Sequence, residues 1–202
     1  MTETTGAQAG APPRWEWRAF DASLAALEAR IGAAAHVLPH HSEELYLANG
    51  RSPHNAKIRD ELLDVERIKR TASSGLELWE ALPKHGFPLS APTVAAFFSA
   101  LDLTPPDLRR AAFSMEEFLA DVIGRDPSFR IVRVVKSRRV FSFCGGRAEL
   151  SRLSIGGAKH QTFCIEDESA NRVEAVLREL ALDPAANTNY PNFFKRLASL
   201  GA

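Results

Sequence analysis

The sequence has no excess of charge of either sign. Across 202 residues, Lys and Arg together number 25, and Asp and Glu together number 25. Nucleic-acid polymers and anionic membranes are usually bound by proteins with an excess of Lys and Arg. The net charge therefore predicts neither a nucleic-acid polymer nor a membrane as partner, and any function that depends on charge has to be local.

Cysteines and long apolar runs are also scarce. Cys144 and Cys164 form no CxxC pair and no disulfide framework. A disulfide bond between them is an alternative, because they lie on or beside neighbouring predicted strands, but we predict reduced thiols. No apolar run approaches the ~20 residues of a membrane helix, and no charged start followed by an apolar stretch marks a signal peptide. We therefore predict a cytoplasmic protein.

The remaining composition, 45% hydrophobic and 25% charged, is typical of a globular domain. Residues 1–13 are rich in Thr, Gly, Ala and Pro without periodicity, which predicts a disordered leader. Residues 14–202 are predicted to form a single domain with a helical insert at about 90–124. Within the insert, an apolar stripe follows Ser90, and Ser114 with Glu117 has the spacing of a capping box.

The clearest pattern lies in residues 130–166, which are predicted to form three consecutive strands. Turns at residues 144–146 and 156–157 separate them. Alternation places polar and apolar side chains on opposite faces. The polar face carries Lys136, Arg138, Ser142, Glu149, Ser151, Thr162, Cys164 and Glu166, and the apolar face carries Phe141, Phe143, Ala148, Leu150, Phe163 and Ile165. A solvated sheet face would also be polar, but the aromatic face requires cover from helices, which favours a curved or closed sheet with a charged interior.

The first half of the chain repeats this alternation. Residues 14–20 form a predicted strand with Arg14, Glu16 and Arg18 on one face, and residues 55–59 form another with Lys57 and Arg59 on a common side. Further strands are predicted at 43–48, 63–69 and 76–82. The fold class predicted from these patterns is α+β, an antiparallel β-barrel with flanking helices.

The order of these elements, with Glu16-x-Arg18, Lys57-x-Arg59, Lys136-x-Arg138, Glu149 and Glu166, resembles the CYTH domain. This is the triphosphate tunnel fold of inorganic triphosphatases, thiamine triphosphatases and class IV adenylyl cyclases. The resemblance covers roughly residues 14–200 and rests on element order and strand chemistry rather than on a long identical motif. It implies a barrel whose charged interior binds a triphosphate compound.

One position departs from the family pattern, which typically begins Glu-x-Glu-x-Lys. Here the register reads Arg14-Trp15-Glu16-Trp17-Arg18, so that Glu16 matches the second Glu and Arg18 replaces the Lys. Arg14 stands at the first Glu, where the family has a carboxylate that helps to hold a divalent metal. Arg14 removes one carboxylate that the family uses to hold the metal, which argues against metal-dependent hydrolysis. It removes no residue that is expected to bind phosphate.

The resemblance implies a role for each charged residue on the strands. Lys and Arg side chains would bind the phosphate oxygens, and carboxylates would hold Mg²⁺ or Mn²⁺, which prefer oxygen ligands. A water oriented by the metal would then attack a terminal phosphorus. The implied roles are substrate binding for Arg18, Lys57, Arg59, Lys136 and Arg138, metal binding for Glu16, Glu149 and Glu166, and catalysis for Glu149 and Glu166. Asp64 or Glu66 is implied as an addition to the metal ligands.

Three functions remain open from the sequence. The first is metal-dependent hydrolysis of an inorganic or organic triphosphate, with a small phosphorylated ligand as the partner. The second is a non-catalytic module of the same fold that binds phosphate, polyphosphate or a nucleotide. The third is a structural protein whose helical insert offers an apolar surface to a partner. The oligomeric state is also open, with a homodimer among the alternatives.

Overall fold

The computed structural model describes residues 12–20, 24–31 and 40–200. The predicted leader lies outside the described residues, apart from its last two positions. The strands are β1 (Arg14–Phe20), β2 (His40–Asn49), β3 (Asn55–Arg59), β4 (Leu62–Thr71), β5 (Glu77–Ala81), β6 (His85–Gly86), β7 (Leu89–Ser90), β8 (Ala112–Phe113), β9 (Phe129–Phe143), β10 (Gly146–Ile155) and β11 (Ala158–Asp167). The helices are α1 (Leu24–Ile31), α2 (Ala91–Ala100), α3 (Met115–Glu117) continuing as a π-helix (Phe118–Ile123), α4 (Ala170–Glu179), a 3₁₀ turn (Pro184–Ala186) and α5 (Tyr190–Leu200).

Eight of the described strands form a closed antiparallel barrel. Their order is β3, β2, β9, β10, β11, β1, β5, β4, and the ring closes because β3 also pairs with β4. The helices flank this barrel. The predicted α+β class, an antiparallel barrel with flanking helices, is therefore confirmed.

The strands β9, β10 and β11 lie where the alternation places them. Tight turns join them, and the backbone at Gly145, Gly156 and Gly157 takes positive φ angles of 75°, 56° and 87°, which glycine adopts at low cost. The register pairs Glu149 of β10 with Cys164 of β11. Polar residues of successive strands therefore share the inner face of the barrel.

The strand β2 is longer than the sequence predicts. It begins at His40 rather than at residue 43, because His40, His41 and Ser42 pair with β9 opposite Arg138, Ser137 and Lys136. The first residues of β2 are polar on both faces, so alternation gave no sign of a strand there.

The helical insert covers the outer face of β2, β3 and β4. Ser90 caps α2 by accepting the backbone N–H of Thr93, and Ser114 and Glu117 form the predicted capping box. The apolar stripe of α2, which includes Phe97 and Phe98, packs in one buried cluster with Leu47, Ile58, Leu63, Phe118 and Phe129. The stripe is therefore part of the core and does not form an exposed surface.

The helices α1 and α4 cover the opposite side of the barrel. Trp17 and Phe163, on the outer faces of β1 and β11, are fully buried and pack edge to face with their ring centroids 6.4 Å apart. Val173, Val176 and Leu177 of α4 belong to the same cluster. Trp17 is thus a core aromatic residue and does not face the barrel interior.

The last helix, α5, packs against the inner face of the barrel at one end. Phe193 of α5 stacks on Phe20 of β1 with ring centroids 3.9 Å apart, and Tyr190 stacks on Tyr46 of β2 at 4.8 Å. These rings form one buried cluster with Val134 and Leu153. The interior of the barrel is therefore apolar at the end near α5, and we call the pair Tyr46 and Tyr190 the aromatic floor. None of the described helices has the length and apolar character needed to cross a membrane.

Candidate functional site

A cavity of about 430 Å³ occupies the polar part of the barrel interior, which is within the usual size range of small-ligand sites. Its charged lining consists of eight cationic side chains, Arg14, Arg18, Lys57, Arg59, Lys84, Lys136, Arg138 and Arg147, and five carboxylates, Glu16, Asp64, Glu66, Glu149 and Glu166. Every site residue predicted from the sequence lies on this lining. The structure brings these residues together, and their individual roles stay predictions.

One side of the cavity is built by three adjacent strands, β1, β10 and β11. Glu16 of β1 pairs across the sheet with Glu166 of β11, which in turn pairs with Arg147 of β10. We call the charged inward residues of these strands the arginine–glutamate wall: Arg14, Glu16, Arg18, Arg147, Glu149 and Glu166. Its three cations and three carboxylates give the wall no net charge.

Each carboxylate of the arginine–glutamate wall lies close to a guanidinium. Arg18 donates to both oxygens of Glu16, at 2.8 and 3.3 Å. Arg147 lies 2.8 Å from Glu166. Glu149 accepts the hydroxyl of Ser151 at 2.8 Å and lies 3.8 Å from Arg147. The wall is therefore a network of ion pairs, short at Glu16 and Glu166 and longer at Glu149, rather than a set of free carboxylates.

The other side of the cavity is built by β2, β3, β4, β9 and the loop after β5. We call its five cations the cation wall: Lys57, Arg59, Lys84, Lys136 and Arg138. The inward carboxylates of the same strands are three, namely Glu44, Asp64 and Glu66. Arg138 also lies 3.9 Å from Glu149 of the opposite wall, and Arg59 lies 3.9 Å from the exposed Asp60. Among the inward groups, this side of the barrel therefore carries an excess of two positive charges.

Two buried carboxylates hold the cation wall together. Glu44, whose side chain has no exposed surface, lies 3.2 Å from Lys136, 3.5 Å from Arg59 and 3.8 Å from Arg138. Asp64, of which 4% is exposed, lies 3.1 Å from Lys84 and 3.5 Å from Arg59. Each carboxylate is shared by at least three cations, because Lys57 is also 3.8 Å from Asp64. Cations that would otherwise repel one another are thereby kept close.

The electrostatic field of the cation wall acts on its carboxylates. Burial by itself would raise the pKa of Glu44, but the charges of Lys136, Lys57 and Arg59 lower it well below its usual range. Burial would likewise raise the pKa of Glu66, whereas Lys57 and the amide of Asn55 lower it to about 2. In return, the carboxylates overcome the effect of burial on Lys57 and raise its pKa. The charged form of each group is stabilised by its neighbours.

Polar atoms without partners lie at the cavity. The buried Arg138 Nε, Asp64 Oδ1 and Tyr190 hydroxyl have no hydrogen-bond partner among the described residues. Buried polar atoms are normally paired. The Arg138 N–H and the Tyr190 hydroxyl are therefore unsatisfied donors in the lining of the cavity.

The aromatic floor also contacts the cations. Lys136 Nζ lies 4.7 Å from the ring centroid of Tyr190 and 5.6 Å from that of Tyr46. The guanidinium carbon of Arg18 lies 5.0 Å from the Tyr190 ring. At these distances the negative face of each ring attracts the cation. The floor therefore helps to position Lys136 and Arg18.

The surroundings of the predicted metal ligands show whether these carboxylates could bind Mg²⁺ or Mn²⁺. Burial raises the pKa of Glu166, Arg147 opposes this, and the nearby carboxylates of Glu16 and Glu149 raise it further. The three carboxylates are thus close enough to repel one another. Each of them already lies against a guanidinium, however, and in the described part of the chain no group of three or more His, Cys, Asp or Glu side chains could hold a metal ion. The present arrangement does not fit a Mg²⁺ or Mn²⁺ site, and the cofactor stays a prediction.

Sequence reasoning assigned no role to three charged residues of the site. Glu44 lies at an inward position of β2, and Arg147 lies two residues before Glu149 on β10, so strand alternation could have found both. Lys84 lies in a loop, where no periodicity marks it.

This chain is similar to known proteins in structure but not detectably in sequence. No protein-family model and no curated protein matches the sequence. A conserved hypothetical protein from Pyrococcus furiosus is 16% identical with a TM-score of 0.52, and the match covers 89% of this chain and 98% of that chain. A protein from Pyrococcus horikoshii OT3 is 14% identical with a TM-score of 0.50, covering 87% of this chain and 94% of that chain.

A third solved structure is that of a putative adenylyl cyclase from Hippeastrum, described as having a dominant triphosphatase activity. It is 17% identical with a TM-score of 0.44, and the match covers 83% of this chain and 85% of that chain. At such identities the two archaeal structures establish the fold and nothing finer. The resemblance to the CYTH domain stays a prediction.

Proposed function

We propose that the barrel cavity binds a small anion of the triphosphate class, inorganic or organic. The observation that supports this function is the cation wall, in which five cations meet three carboxylates inside a closed barrel. Exposed Lys and Arg pairs on strands are common and carry little weight. Lys57 and Lys136 are buried, and Arg59 and Arg138 are half-buried. Cations gathered away from water are costly to maintain, and they indicate a ligand that uses them.

The donors of the cation wall outnumber the acceptors that they meet. A guanidinium has five N–H donors and an ammonium has three, so the contacts with Glu44, Asp64 and Glu66 leave donors free. Arg138 is the clearest case, since its Nε has no partner among the described residues and its contacts with Glu44 and Glu149 are long, at 3.8 and 3.9 Å. Phosphate oxygens accept such charge-assisted hydrogen bonds.

Isothermal titration calorimetry with tripolyphosphate, diphosphate and orthophosphate tests this function. We expect affinity to rise with the number of phosphate groups and to fall as salt is added, because the interaction is between charges. Lys84→Met should weaken tripolyphosphate binding, and Lys159→Met, at an exposed position on β11 away from the cavity, should not. Failure of all three anions to bind at low salt would refute the proposal.

Hydrolysis of the bound triphosphate with Mg²⁺ or Mn²⁺ is a second candidate function. The observation that favours it is the convergence of Glu16, Glu149 and Glu166 on one side of the cavity. Because guanidinium groups contact all three carboxylates, no catalytic step through a metal follows from the present arrangement. Release of phosphate from tripolyphosphate or ATP, measured with each metal and compared with a Glu149→Gln variant, tests this candidate. Equal rates for the two proteins would remove it.

A further inference from the structure

Two guanidinium groups hold Glu166 at the edge of the cavity. Arg147 Nη1 lies 2.8 Å from Glu166 Oε1, and Arg14 Nη1 lies 3.8 Å from the same oxygen. An Arg side chain does not lose its charge in a protein. Positive charge is therefore already present where a divalent cation would contact this carboxylate. We call Arg14 and Arg147 the arginine clamp.

The neighbouring carboxylates also face guanidinium groups. Arg18 donates to both oxygens of Glu16, and Glu149 Oε2 faces Arg147 at 3.8 Å and Arg138 at 3.9 Å. A divalent cation bound here would have to displace guanidinium groups and add two charges to a wall that is already neutral. Repulsion from the displaced guanidinium groups would oppose its binding.

We propose that the cavity takes its polyanion without a divalent cation, because the arginine clamp neutralises Glu166 in place of a metal. This inference rests on the proposed function, since it concerns how the same cavity binds a triphosphate-class anion. The cation wall, across the cavity, supplies N–H donors directly to the phosphate oxygens. No metal is then needed to bridge ligand and protein.

Calorimetry with tripolyphosphate in EDTA and in excess Mg²⁺ is the first test. The affinity in EDTA should equal or exceed that in Mg²⁺, because Mg²⁺ reduces the charge of the free ligand. Binding that is weaker in EDTA by about tenfold or more would overturn the inference and leave the proposed function standing. Absence of binding under both conditions would overturn the proposed function as well, so the two failures are distinguishable.

Titration with Mn²⁺ alone, followed by electron paramagnetic resonance, is the second test. Wild-type protein should bind no Mn²⁺, and a double variant with Arg14→Gln and Arg147→Gln should gain a Mn²⁺ site. Arg172→Gln is the matched control, since this guanidinium contacts Asp167 and the Gly145 carbonyl outside the cavity, and it should gain none.

Two results of this titration would overturn the inference. One is Mn²⁺ binding by the wild-type protein, a measurement that needs no variant and decides the matter even if the double variant does not fold. The other is a double variant that folds, as judged by circular dichroism, and still binds no Mn²⁺, since the clamp would then not be what excludes the metal.

Discussion

Lys136 and Glu44 form an ion pair in the barrel interior, with Nζ 3.2 Å from Oε2 and side-chain exposures of 5% and 0%. Two charges removed from water to this extent are stable only when each has further partners. Lys136 also donates to the Tyr46 hydroxyl at 3.1 Å, and Glu44 accepts from Ser42 at 3.1 Å. Glu44 is thus the central acceptor of the cation wall.

Replacing Glu44 by Gln should destabilise the protein strongly. The change leaves Lys136, Arg59 and Arg138 close together without their shared carboxylate, and removal of one partner of a buried pair costs about 3–5 kcal/mol. Urea denaturation measures the loss. Added tripolyphosphate should restore part of it by supplying negative charge, and a variant as stable as the wild type would show that Glu44 does not hold these cations.

Replacing Arg138 by Gln should weaken tripolyphosphate binding. A hydrogen bond to a charged group contributes about 1.5–3 kcal/mol, which corresponds to a loss of roughly ten- to a hundredfold in affinity. Arg133→Gln is the matched control, because Arg133 lies on the same strand but pairs with Glu43 and is 68% exposed. Calorimetry should find the tripolyphosphate affinity of Arg133→Gln unchanged. Equal losses of affinity in the two variants would contradict the assignment of Arg138 to the binding site.

The stability of the protein should fall in acid because of Glu66. Its pKa is lowered from 4.5 to about 2 in the folded state. The unfolded chain therefore takes up a proton at a pH where the folded protein does not, and the free energy of unfolding decreases as the pH falls from about 4.5 towards about 2. Above that range the contribution of Glu66 is fully present.

Denaturation across this pH window checks the contribution of Glu66. A Glu66→Gln variant should be less stable than the wild type above the window, and the difference should shrink as the pH falls. Glu61→Gln, at an exposed position in the turn before β4, should follow the wild-type curve. A constant difference between Glu66→Gln and wild type would rule out this assignment.

The two tyrosines of the aromatic floor should respond in opposite directions to loss of the hydroxyl. The Tyr190 hydroxyl is buried without a partner among the described residues, so Tyr190→Phe should raise the free energy of unfolding by about 1 kcal/mol. The Tyr46 hydroxyl accepts from Lys136 at 3.1 Å, so Tyr46→Phe should lower it by a similar amount. Urea denaturation of both variants and the wild type measures these free energies. A Tyr190→Phe variant less stable than the wild type would contradict the prediction, because its hydroxyl would then have a stabilising partner.

Local patterns predicted much of the barrel. Alternation is clearest in the middle of β9, β10 and β11, where large apolar residues such as Phe141 and Phe163 occupy one face and Glu149 and Glu166 occupy the other. The same rule placed Arg14, Glu16 and Arg18 on one face of β1. It missed the first three residues of β2, which are polar on both faces, and Lys84, which lies in a loop. The π-helix at Phe118–Ile123 was predicted only as a helix, since no sequence pattern marks that form.

The sequence by itself determined which side chains share a strand face, because successive side chains of a strand point to opposite sides. It did not determine which strands meet. The pairing of β3 with β4 that closes the ring, and the register that sets Arg147 opposite Glu166, depend on contacts between residues far apart in the chain. Only the tertiary structure therefore decided that the cations form one wall and that the carboxylates opposite are held by arginines, since these relationships depend on distance in space and not on spacing in sequence.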